Sequence, residues 1–252
     1  MHLFYVEENQ INEESLLVTI TGEDVNHIKN VLRLRQGDKV TVCNGHGTDF
    51  LCIIDEVCDK SVLLTIEEKC LSKGELDNTI YLFQGLPKKD KMELVIQKAT
   101  ELGAGCVIPV LNKRSVVKLE DAKKEEKKLV RWNQIALAAA KQSKRGVIPK
   151  VLPVMKFEKA VEFAAKQCDL VIIPYENERG IEYARQVLAT CSTSKSIGIF
   201  IGPEGGFEDE EISFAKKNGA KIISLGHRIL RTETAALSAM TLVMMSCEKD
   251  ED

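Results

Sequence analysis

Near the C-terminus, a short apolar run and a glycine-rich bend precede an acidic stretch of the chain. The apolar run, 197–201, is β-branched and predicts a buried strand that breaks at the bend Gly202-Pro203-Glu204-Gly205-Gly206. The acidic run 208–211 predicts a helix start, because negative charge is favourable near the positive end of a helix. Asn218-Gly219 predicts the end of this helix, since the pair suits a left-handed cap.

A second strand–loop–helix unit follows. The strand, 221–225, ends at Gly226, and the next segment leads into a final helix over 233–245 with Thr232 as its predicted N-cap. Ligands of open α/β sheets bind at the carboxyl ends of the strands. Two strands that each end in a glycine loop feeding a helix therefore predict an active site at these loops.

From residue 79 onward, the chain alternates predicted strands and helices. This alternation predicts a mostly parallel sheet that helices cover on both faces. The strands are predicted at 79–84, 106–111 and 170–174, and the helices at 91–102, 122–140, 157–167 and 181–191.

The N-terminal part has a different pattern, with several short strands and tight turns. One helix is predicted over 24–32, and strands 39–43 and 48–57 are joined by a hairpin, with a further strand at 61–67. Such a pattern predicts a small β-barrel that serves as a binding accessory. We therefore expect an accessory domain over 1–72, a polar linker over 73–78 and the active-site domain over 79–252.

Composition limits the class of protein. The chain has 252 residues, of which 44% are hydrophobic and 29% charged, as in an ordinary globular protein. No apolar run approaches the roughly 20 residues that span a bilayer, and the N-terminus does not resemble a signal peptide, so a cytoplasmic location is expected. The eight cysteines form no C-x-x-C pair and the four histidines are scattered, so we expect reduced thiols and no metal.

The chemistry of the two glycine loops limits the classes of ligand that they can bind. Glu204 and the acidic run 208–211 would repel a phosphate, and the spacing fits neither the dinucleotide fingerprint nor the Walker A loop. This disfavours a nicotinamide-dependent enzyme. A neutral or cationic ligand fits better, and S-adenosylmethionine is such a ligand. The alternative is that both loops are ordinary turns whose glycines serve only backbone geometry.

The net charge of −3 argues against indiscriminate nucleic-acid binding, although basic residues form several local clusters. Each cluster alone is typical of a solvated helix face, and the alternative is an RNA-facing surface. The clusters are Lys88, Lys89 and Lys91; Lys113 and Arg114; Lys127, Lys128 and Arg131; and Lys141, Lys144 and Arg145.

Two C-terminal motifs carry a family resemblance. The segments 201–207 (IGPEGGF) and 225–235 (LGHRILRTETA) resemble the signature of the ribosomal RNA small subunit methyltransferase E family. The resemblance covers nearly the whole chain, and the two motifs are specific in this order and at this spacing. Further similar segments are 91–93, 97–98, 101–103, Gln142-Ser143 with Arg145, and, in the first domain, 27–28, 31–34 and 37–38.

This resemblance implies a SPOUT-type methyltransferase whose C-terminal chain forms a trefoil knot, preceded by a PUA-like barrel. It further implies a homodimer through the C-terminal domain, S-adenosylmethionine as cofactor, and no membrane or metal partner. The implied reaction is methylation of N3 of a uridine in 16S ribosomal RNA, at position 1498 in the usual numbering, in the small ribosomal subunit.

The resemblance, together with the chemistry of the implied reaction and the charge pattern, gives expected roles to individual residues. Arg231 is the expected electrostatic stabiliser of the uridine anion, with Glu233 orienting it or accepting the proton. The expected cofactor-binding residues are Gly202, Pro203, Glu204, Gly205, Leu225, Gly226, Ile229, Leu230, Arg231 and Thr232. The expected RNA-binding residues are Arg33, Lys88, Arg114, Gln142, Ser143 and Arg145.

The chain departs from the family pattern at two places. The family commonly has arginine near position 2, where this chain has His2, and commonly has Glu and Gly where this chain has Lys141 and Lys144. Two alternatives to uridine N3 methylation remain at this point. One is another SPOUT RNA methyltransferase that modifies ribose 2′-O or guanine N1, and the other is a non-catalytic RNA-binding ribosome-assembly factor.

Overall fold

The computed structural model describes residues 2–117, 121–176 and 180–248, and it divides the chain into two compact units. The first unit contains the described residues up to Glu75 together with Lys141–Ile148. The second contains Leu76–Ala140 and the residues from Pro149 onward. The predicted division placed 141–148 in the active-site domain, whereas the structure assigns this segment to the first unit. The linker over 73–78 stays a prediction.

The first unit is a curled six-stranded sheet with one short helix. The spatial order is β1-β4-β5-β6-β3-β2, in which β1 and β4 are parallel and the other neighbours are antiparallel. The predicted helix over 24–32 is present as α1, which continues as a π-helical turn, His27–Leu32. The elements are β1 His2–Tyr5, β2 Ile11–Asn12, β3 Leu17–Thr21, α1 Glu23–Asn26, β4 Lys39–Cys43, β5 Thr48–Val57 and β6 Ser61–Leu71.

The segment 141–148 is held within the first unit by backbone and side-chain contacts. The N–H of Gly47 donates to the carbonyl of Gly146 at 2.9 Å, and the N–H of Ile148 donates to that of Gly45 at 2.9 Å. The Arg145 side chain is 6% exposed and its guanidinium pairs with both oxygens of Glu75, at 2.8 and 2.6 Å. A buried, bidentate pair of this kind fixes the segment to the sheet.

The second unit is built around an all-parallel sheet, as the alternating pattern predicts. Its order is β10-β8-β7-β12-β11-β13, with β9 also paired to β8. The elements are β7 Thr79–Gly85, α2 Lys91–Glu101, β8 Ala104–Leu111, α3 Ala122–Ser143, β9 Lys150–Val151, β10 Met155–Lys156, α4 Phe157–Gln167, β11 Leu170–Pro174, α5 Ile181–Ala189, β12 Ser196–Ile201, α6 Asp209–Lys217, β13 Lys221–Ile223 and α7 Thr232–Cys247.

Two apolar cores cover the two faces of this sheet. Helices α2, α3, α5 and α7 contribute to one core, together with Ile197, Ile199 and Ile201 of the central strand. Helices α4 and α6 contribute to the other core, in which Phe200 of the same strand stacks on Phe83 with ring centroids 4.2 Å apart. The alternation of strand side chains between two apolar cores explains why strand β12 is apolar at every buried position.

The N-cap prediction for the last helix is wrong. Arg231 occupies the cap position and Thr232 is the first helical residue. The Thr232 hydroxyl donates to the carbonyl of Gly202 at 2.6 Å and accepts from Gln84 Nε2 at 2.9 Å. These long-range hydrogen bonds outweigh local capping and fix the start of α7 to the loop after β12. Over the described residues, no helix has both the length and the apolar character that a bilayer crossing requires.

Candidate functional site

The two glycine loops of the second unit enclose a cavity of about 450 Å³ at the carboxyl ends of the strands. We call residues 202–206 the first loop and residues 226–231 the second loop. The remaining wall comes from Lys91, the segment Pro174–Glu176, and residues that flank the two loops. The walls are largely apolar, with carboxylate and cationic groups at a few points.

The first loop lies against strand β7 because one residue there has no side chain. A Cβ placed on Gly85 would lie 2.5 Å from the backbone nitrogen of Pro203 and 2.8 Å from Asn112 Oδ1. Both distances are shorter than real Cβ contacts, so only glycine allows this approach. The close packing sets the position of Pro203 in the cavity wall.

An ion cluster holds the side chain of the first loop. Lys91 Nζ, at the start of α2, lies 3.1 Å from Glu204 Oε1 and 3.2 Å from Glu233 Oε2 at the start of α7. The backbone N–H of Lys88 also donates to both Glu204 oxygens, at 3.1 and 3.3 Å. Lys91 therefore joins three elements: the first loop, α2 and α7.

The protonation states of this cluster follow from its contacts. Hydrogen bonds to Glu204 and then Glu233 raise the pKa of Lys91 above its ordinary value. Burial raises the pKa of Glu204, but hydrogen bonds from its own backbone N–H, from that of Lys88 and from Lys91 outweigh burial and lower it. Lys91 is therefore cationic and Glu204 anionic throughout the neutral range.

A second set of contacts fixes the first loop to the segment after β8. Arg114 donates to both oxygens of Glu208, at 2.8 and 3.1 Å, and to the carbonyl of Gly205 at 3.2 Å. Glu211 is 2% exposed and accepts from Asn112 Nδ2 at 3.2 Å and from the backbone N–H of Lys113 at 3.1 Å. The first loop and the start of α6 are thus held by charge-assisted hydrogen bonds.

The second loop has no comparable anchors. Gly226 has a φ of +106°, a conformation that favours glycine, and its N–H donates to Ser224 Oγ at 3.1 Å. Ile229 is 87% exposed, and Arg228 and Arg231 are also exposed. Neither guanidinium forms a hydrogen bond or ion pair within the described ranges. The second loop therefore presents two uncompensated cations at the cavity.

Comparison with known proteins identifies the family. Residues 74–244 match the model of an RNA methyltransferase domain, and residues 20–67 match that of an RNA methyltransferase PUA domain. The chain is 37% identical over 252 residues to the ribosomal RNA small subunit methyltransferase E of Bacillus subtilis, covering 98% of each chain. It belongs to this family.

Further members agree with this assignment. The methyltransferase E of Mesomycoplasma hyopneumoniae is 34% identical over 250 residues, covering 99% of this chain and 100% of the relative. The crystal structure of the Neisseria gonorrhoeae methyltransferase E bound to S-adenosyl methionine matches with a TM-score of 0.76 and 29% identity, covering 95% of each chain. The predicted α/β fold with a PUA-like N-terminal domain, typical of SPOUT methyltransferases, is confirmed.

The structure brings the predicted cofactor-binding residues of this family member together. All ten line the one cavity: Gly202, Pro203, Glu204, Gly205, Leu225, Gly226, Ile229, Leu230, Arg231 and Thr232. Their role as cofactor ligands stays a prediction. Glu233, expected to orient Arg231 or to accept a proton, pairs instead with Lys91, so the structure does not support the orienting role.

The predicted RNA-binding residues differ in how far their side chains are exposed. Lys88, Arg33 and Gln142 are exposed, and their contact with RNA stays a prediction. Ser143 is half-buried, and the Arg114 guanidinium is half-exposed but engaged by Glu208. The expectation for Arg145 needs correction, because this guanidinium is buried against Glu75 and is not available to a phosphate.

Two charged residues of the cavity wall, Lys91 and Arg228, are not among the site residues predicted from the sequence. Lys91 appeared there as part of a basic cluster and a family segment, yet its two carboxylate partners could be found only in three dimensions. Arg228 lies within the second motif but received no role. Arg228 could have been predicted as a site residue, because it is a cation three positions before Arg231 in a loop predicted to line the site.

The cysteines and the possible metal-binding side chains lend no further chemistry to the site. None of the eight cysteines forms a disulfide, and five of them are buried. Burial raises the pKa of the Cys43 and Cys106 thiols to about 11, so these groups are unreactive thiols at neutral pH. In the part of the chain that the structure covers, no group of three or more His, Cys, Asp or Glu side chains could hold a metal ion.

Proposed function

We propose that this chain methylates N3 of a uridine in 16S ribosomal RNA, position 1498 in the usual numbering, with S-adenosylmethionine as the methyl donor. The observation that carries the proposal is the cavity between two glycine loops, whose wall includes Arg231, an arginine without a partner among the described residues. The family supplies the substrate, since the relatives are named as ribosomal RNA small subunit methyltransferases. The Neisseria gonorrhoeae relative was crystallised with the same cofactor.

The residues of the cavity fit this cofactor. The volume of about 450 Å³ lies within the range of small-molecule sites, roughly 300–1,000 Å³. Ile201, Leu225 and Leu230 offer apolar surface suited to an adenine ring. The Glu204–Lys91–Glu233 cluster has two carboxylates for one cation, and its net negative charge suits a cationic sulfonium. The acidic start of α6 disfavours a phosphate-bearing cofactor.

The donor supplies a methyl group that its sulfonium already activates. The two loops then have to orient the donor and the uridine for an in-line displacement, in which the N3–carbon bond forms as the sulfur–carbon bond breaks. N3 of uridine carries a proton that leaves during this step, so negative charge develops on the base. Arg231 lines the cavity and has no partner among the described side chains, which supports it as the proposed stabiliser of that charge.

Glu233 is the proposed proton acceptor. Its side chain is 16% exposed, and Oε2 faces Lys91 at 3.2 Å. Oε1 makes no hydrogen bond within the described part of the chain and can accept the N3 proton. The same Lys91 contact holds the carboxylate at the start of α7, two residues after Arg231 in the chain. In this proposal Glu233 accepts the N3 proton, and Arg231 stabilises the negative charge that its loss leaves on the base.

The RNA is bound by contacts outside the cavity. Lys88, Arg33 and Gln142 are exposed and supply contacts to the RNA backbone. The two cations, Lys88 and Arg33, neutralise phosphates, which makes affinity fall as salt rises. The target base has to be extruded or already unpaired to reach a cavity of this kind. The ribosomal substrate implies a cytoplasmic protein.

The protein acts as a homodimer through its second unit. The exposed apolar side chains of α7, Leu242 and Met245, support this proposal because such groups favour burial against a partner. Sedimentation equilibrium tests it, with a mass twice that of the 28.1 kDa chain expected and a monomer contradicting it.

The reaction is tested by locating the methyl group. Small subunits that lack the modification are incubated with the protein and S-adenosylmethionine carrying a labelled methyl, and the RNA is digested and mapped by mass spectrometry. Label at N3 of one uridine in 16S RNA is the expected result. Label on a ribose 2′-oxygen or guanine N1 would assign another methylation, and cofactor binding without transfer would favour an assembly factor.

A further inference from the structure

We propose that Arg228 is a substrate-positioning residue that binds a phosphate of the RNA next to the methylated nucleotide. The inference rests on the proposed function, because it needs an RNA substrate at this cavity. It assigns to the second loop two separate tasks: Arg231 faces the reacting base and Arg228 holds the backbone.

The first support is the charge state of the cavity wall. Its described cations are Lys91, Arg228 and Arg231. Lys91 is compensated by two carboxylates, at 3.1 and 3.2 Å, and so has little attraction left for an anion. Arg228 has no carboxylate, carbonyl or ring partner in the residues covered by the structure. An arginine held without an acceptor at a cavity is suited to an incoming anion.

The second support is the position of the side chain. Arg228 is exposed, between His227 and Ile229, which are also exposed, so it lies at the rim of the cavity. Its Nη2 lies 3.7 Å from the point where a Cβ on Gly226 would stand. The guanidinium therefore folds back over the loop and lies beside Gly226.

The chemistry of the two ligands indicates which anion binds there. The cofactor carries one carboxylate, and a nucleotide in RNA carries a phosphate on each side of its ribose. A rim position suits the larger ligand, whose backbone stays outside while one base enters the cavity. The planar guanidinium can bind a phosphate through two parallel N–H donors. The RNA phosphate is therefore the proposed ligand, and the cofactor carboxylate is the rival.

The test compares Arg228→Ala with Arg228→Lys and with a matched control, Arg185→Ala. Arg185 is an exposed arginine of α5 that does not line the cavity. Its replacement by alanine changes the net charge by the same amount as Arg228→Ala but leaves the cavity wall intact. For each variant, cofactor affinity is measured by calorimetry. Binding to unmodified small subunits is measured at several salt concentrations, and KM and kcat are measured separately.

The expected result is a change in RNA binding alone. Arg228→Ala should raise KM for small subunits about tenfold, with kcat and cofactor affinity within about twofold of the parent. The slope of log affinity against log salt should become shallower by about 0.7–0.9, as for the loss of one phosphate contact. Arg228→Lys should keep the slope, since it keeps the charge, and Arg185→Ala should change nothing.

Other outcomes overturn the inference. A loss of cofactor affinity in Arg228→Ala would assign the guanidinium to the cofactor carboxylate. An unchanged salt slope with a lower kcat would assign it to the chemical step or to loop structure. If the parent protein places no methyl on RNA but Arg228→Ala still shows the shallower slope, the proposed reaction fails while the phosphate contact stands.

Discussion

The two loops that line the cavity differ in how their charges are used. In the first loop, Glu204 is held by Lys91 and by the backbone of Lys88, and Gly205 is held by Arg114. In the second loop, neither Arg228 nor Arg231 has a partner within the described residues. One loop is fixed before any ligand arrives, and the other keeps its cations available.

This difference is what a two-ligand enzyme requires. A fixed loop binds a small cofactor without an ordering cost, because its conformation is already that of the complex. Uncompensated cations serve a reaction in which negative charge develops only as the substrate reacts. We infer that the first loop mainly binds the cofactor and the second loop mainly acts on the RNA. The following predictions test this division, from the largest expected effect to the smallest.

Replacing Arg231 with alanine should have the largest effect on turnover. Removing one charge-stabilising donor typically lowers kcat by about 100- to 1,000-fold, and we expect a loss in this range. Cofactor affinity should stay within about twofold, because the fixed loop is untouched. Single-turnover methylation of small subunits and calorimetry measure the two quantities. Loss of cofactor binding together with turnover would count against the role of Arg231.

Gly85→Ala should disrupt the first loop through packing alone. The new Cβ would stand 2.5 Å from the Pro203 nitrogen, so the loop must move. We expect a loss of stability of about 1–3 kcal/mol, measured by chemical denaturation, and a cofactor affinity at least about tenfold lower. Gly180→Ala is the control, since nothing lies within 4 Å of its Cβ position. Normal cofactor binding by Gly85→Ala would show that the close approach is unimportant.

Lys91→Met should loosen the first loop without a change in packing volume. Glu204 and Glu233 would lose their shared cation, and the loop would lose its tie to α2 and α7. We expect cofactor affinity to fall about tenfold, because an uncompensated pair of carboxylates has to reorganise. Lys91→Arg should retain most of the affinity.

The matched control for Lys91→Met is Lys98→Met on the same helix. Lys98 pairs with Glu101 at 2.8 Å and does not line the cavity. Equal cofactor affinities for the two methionine variants would show that Lys91 does not hold the first loop in its binding conformation.

Arg114→Ala should have the smallest effect. Its contacts with Glu208 are half-exposed, and exposed ion pairs contribute little. We expect cofactor affinity to fall by no more than about threefold, with the salt dependence of RNA binding unchanged. A shallower salt slope would instead support the sequence-based prediction that Arg114 contacts RNA.

The sequence was sufficient for features that depend on local order. The strand 197–201, the bend after it and the acidic start of α6 could be predicted because each signal lies within a few residues. Ten predicted cofactor residues share one cavity because both bends follow carboxyl ends at the same edge of a parallel sheet, those of β12 and β13 on either side of β11. The parallel sheet therefore brings two loops that are separate in the sequence to one site.

Features that depend on distant partners could not be predicted. Thr232 resembles an N-cap in the sequence, but its hydroxyl accepts from Gln84 and donates to the carbonyl of Gly202 instead of capping the helix. Arg145 follows a polar helix end and so resembles an RNA contact, but Glu75 buries it. The partners of Lys91 are likewise far along the chain. In each case a contact distant in sequence outweighed the local pattern.

A crystal structure of the protein with S-adenosylmethionine tests the division between the loops most directly. We predict that the cofactor lies in the cavity, that residues 202–206 keep the Lys91 and Arg114 contacts, and that neither Arg228 nor Arg231 holds the cofactor carboxylate. A cofactor bound outside the cavity, or one whose carboxylate is held by Arg228 or Arg231 while the first loop is displaced, would contradict the account.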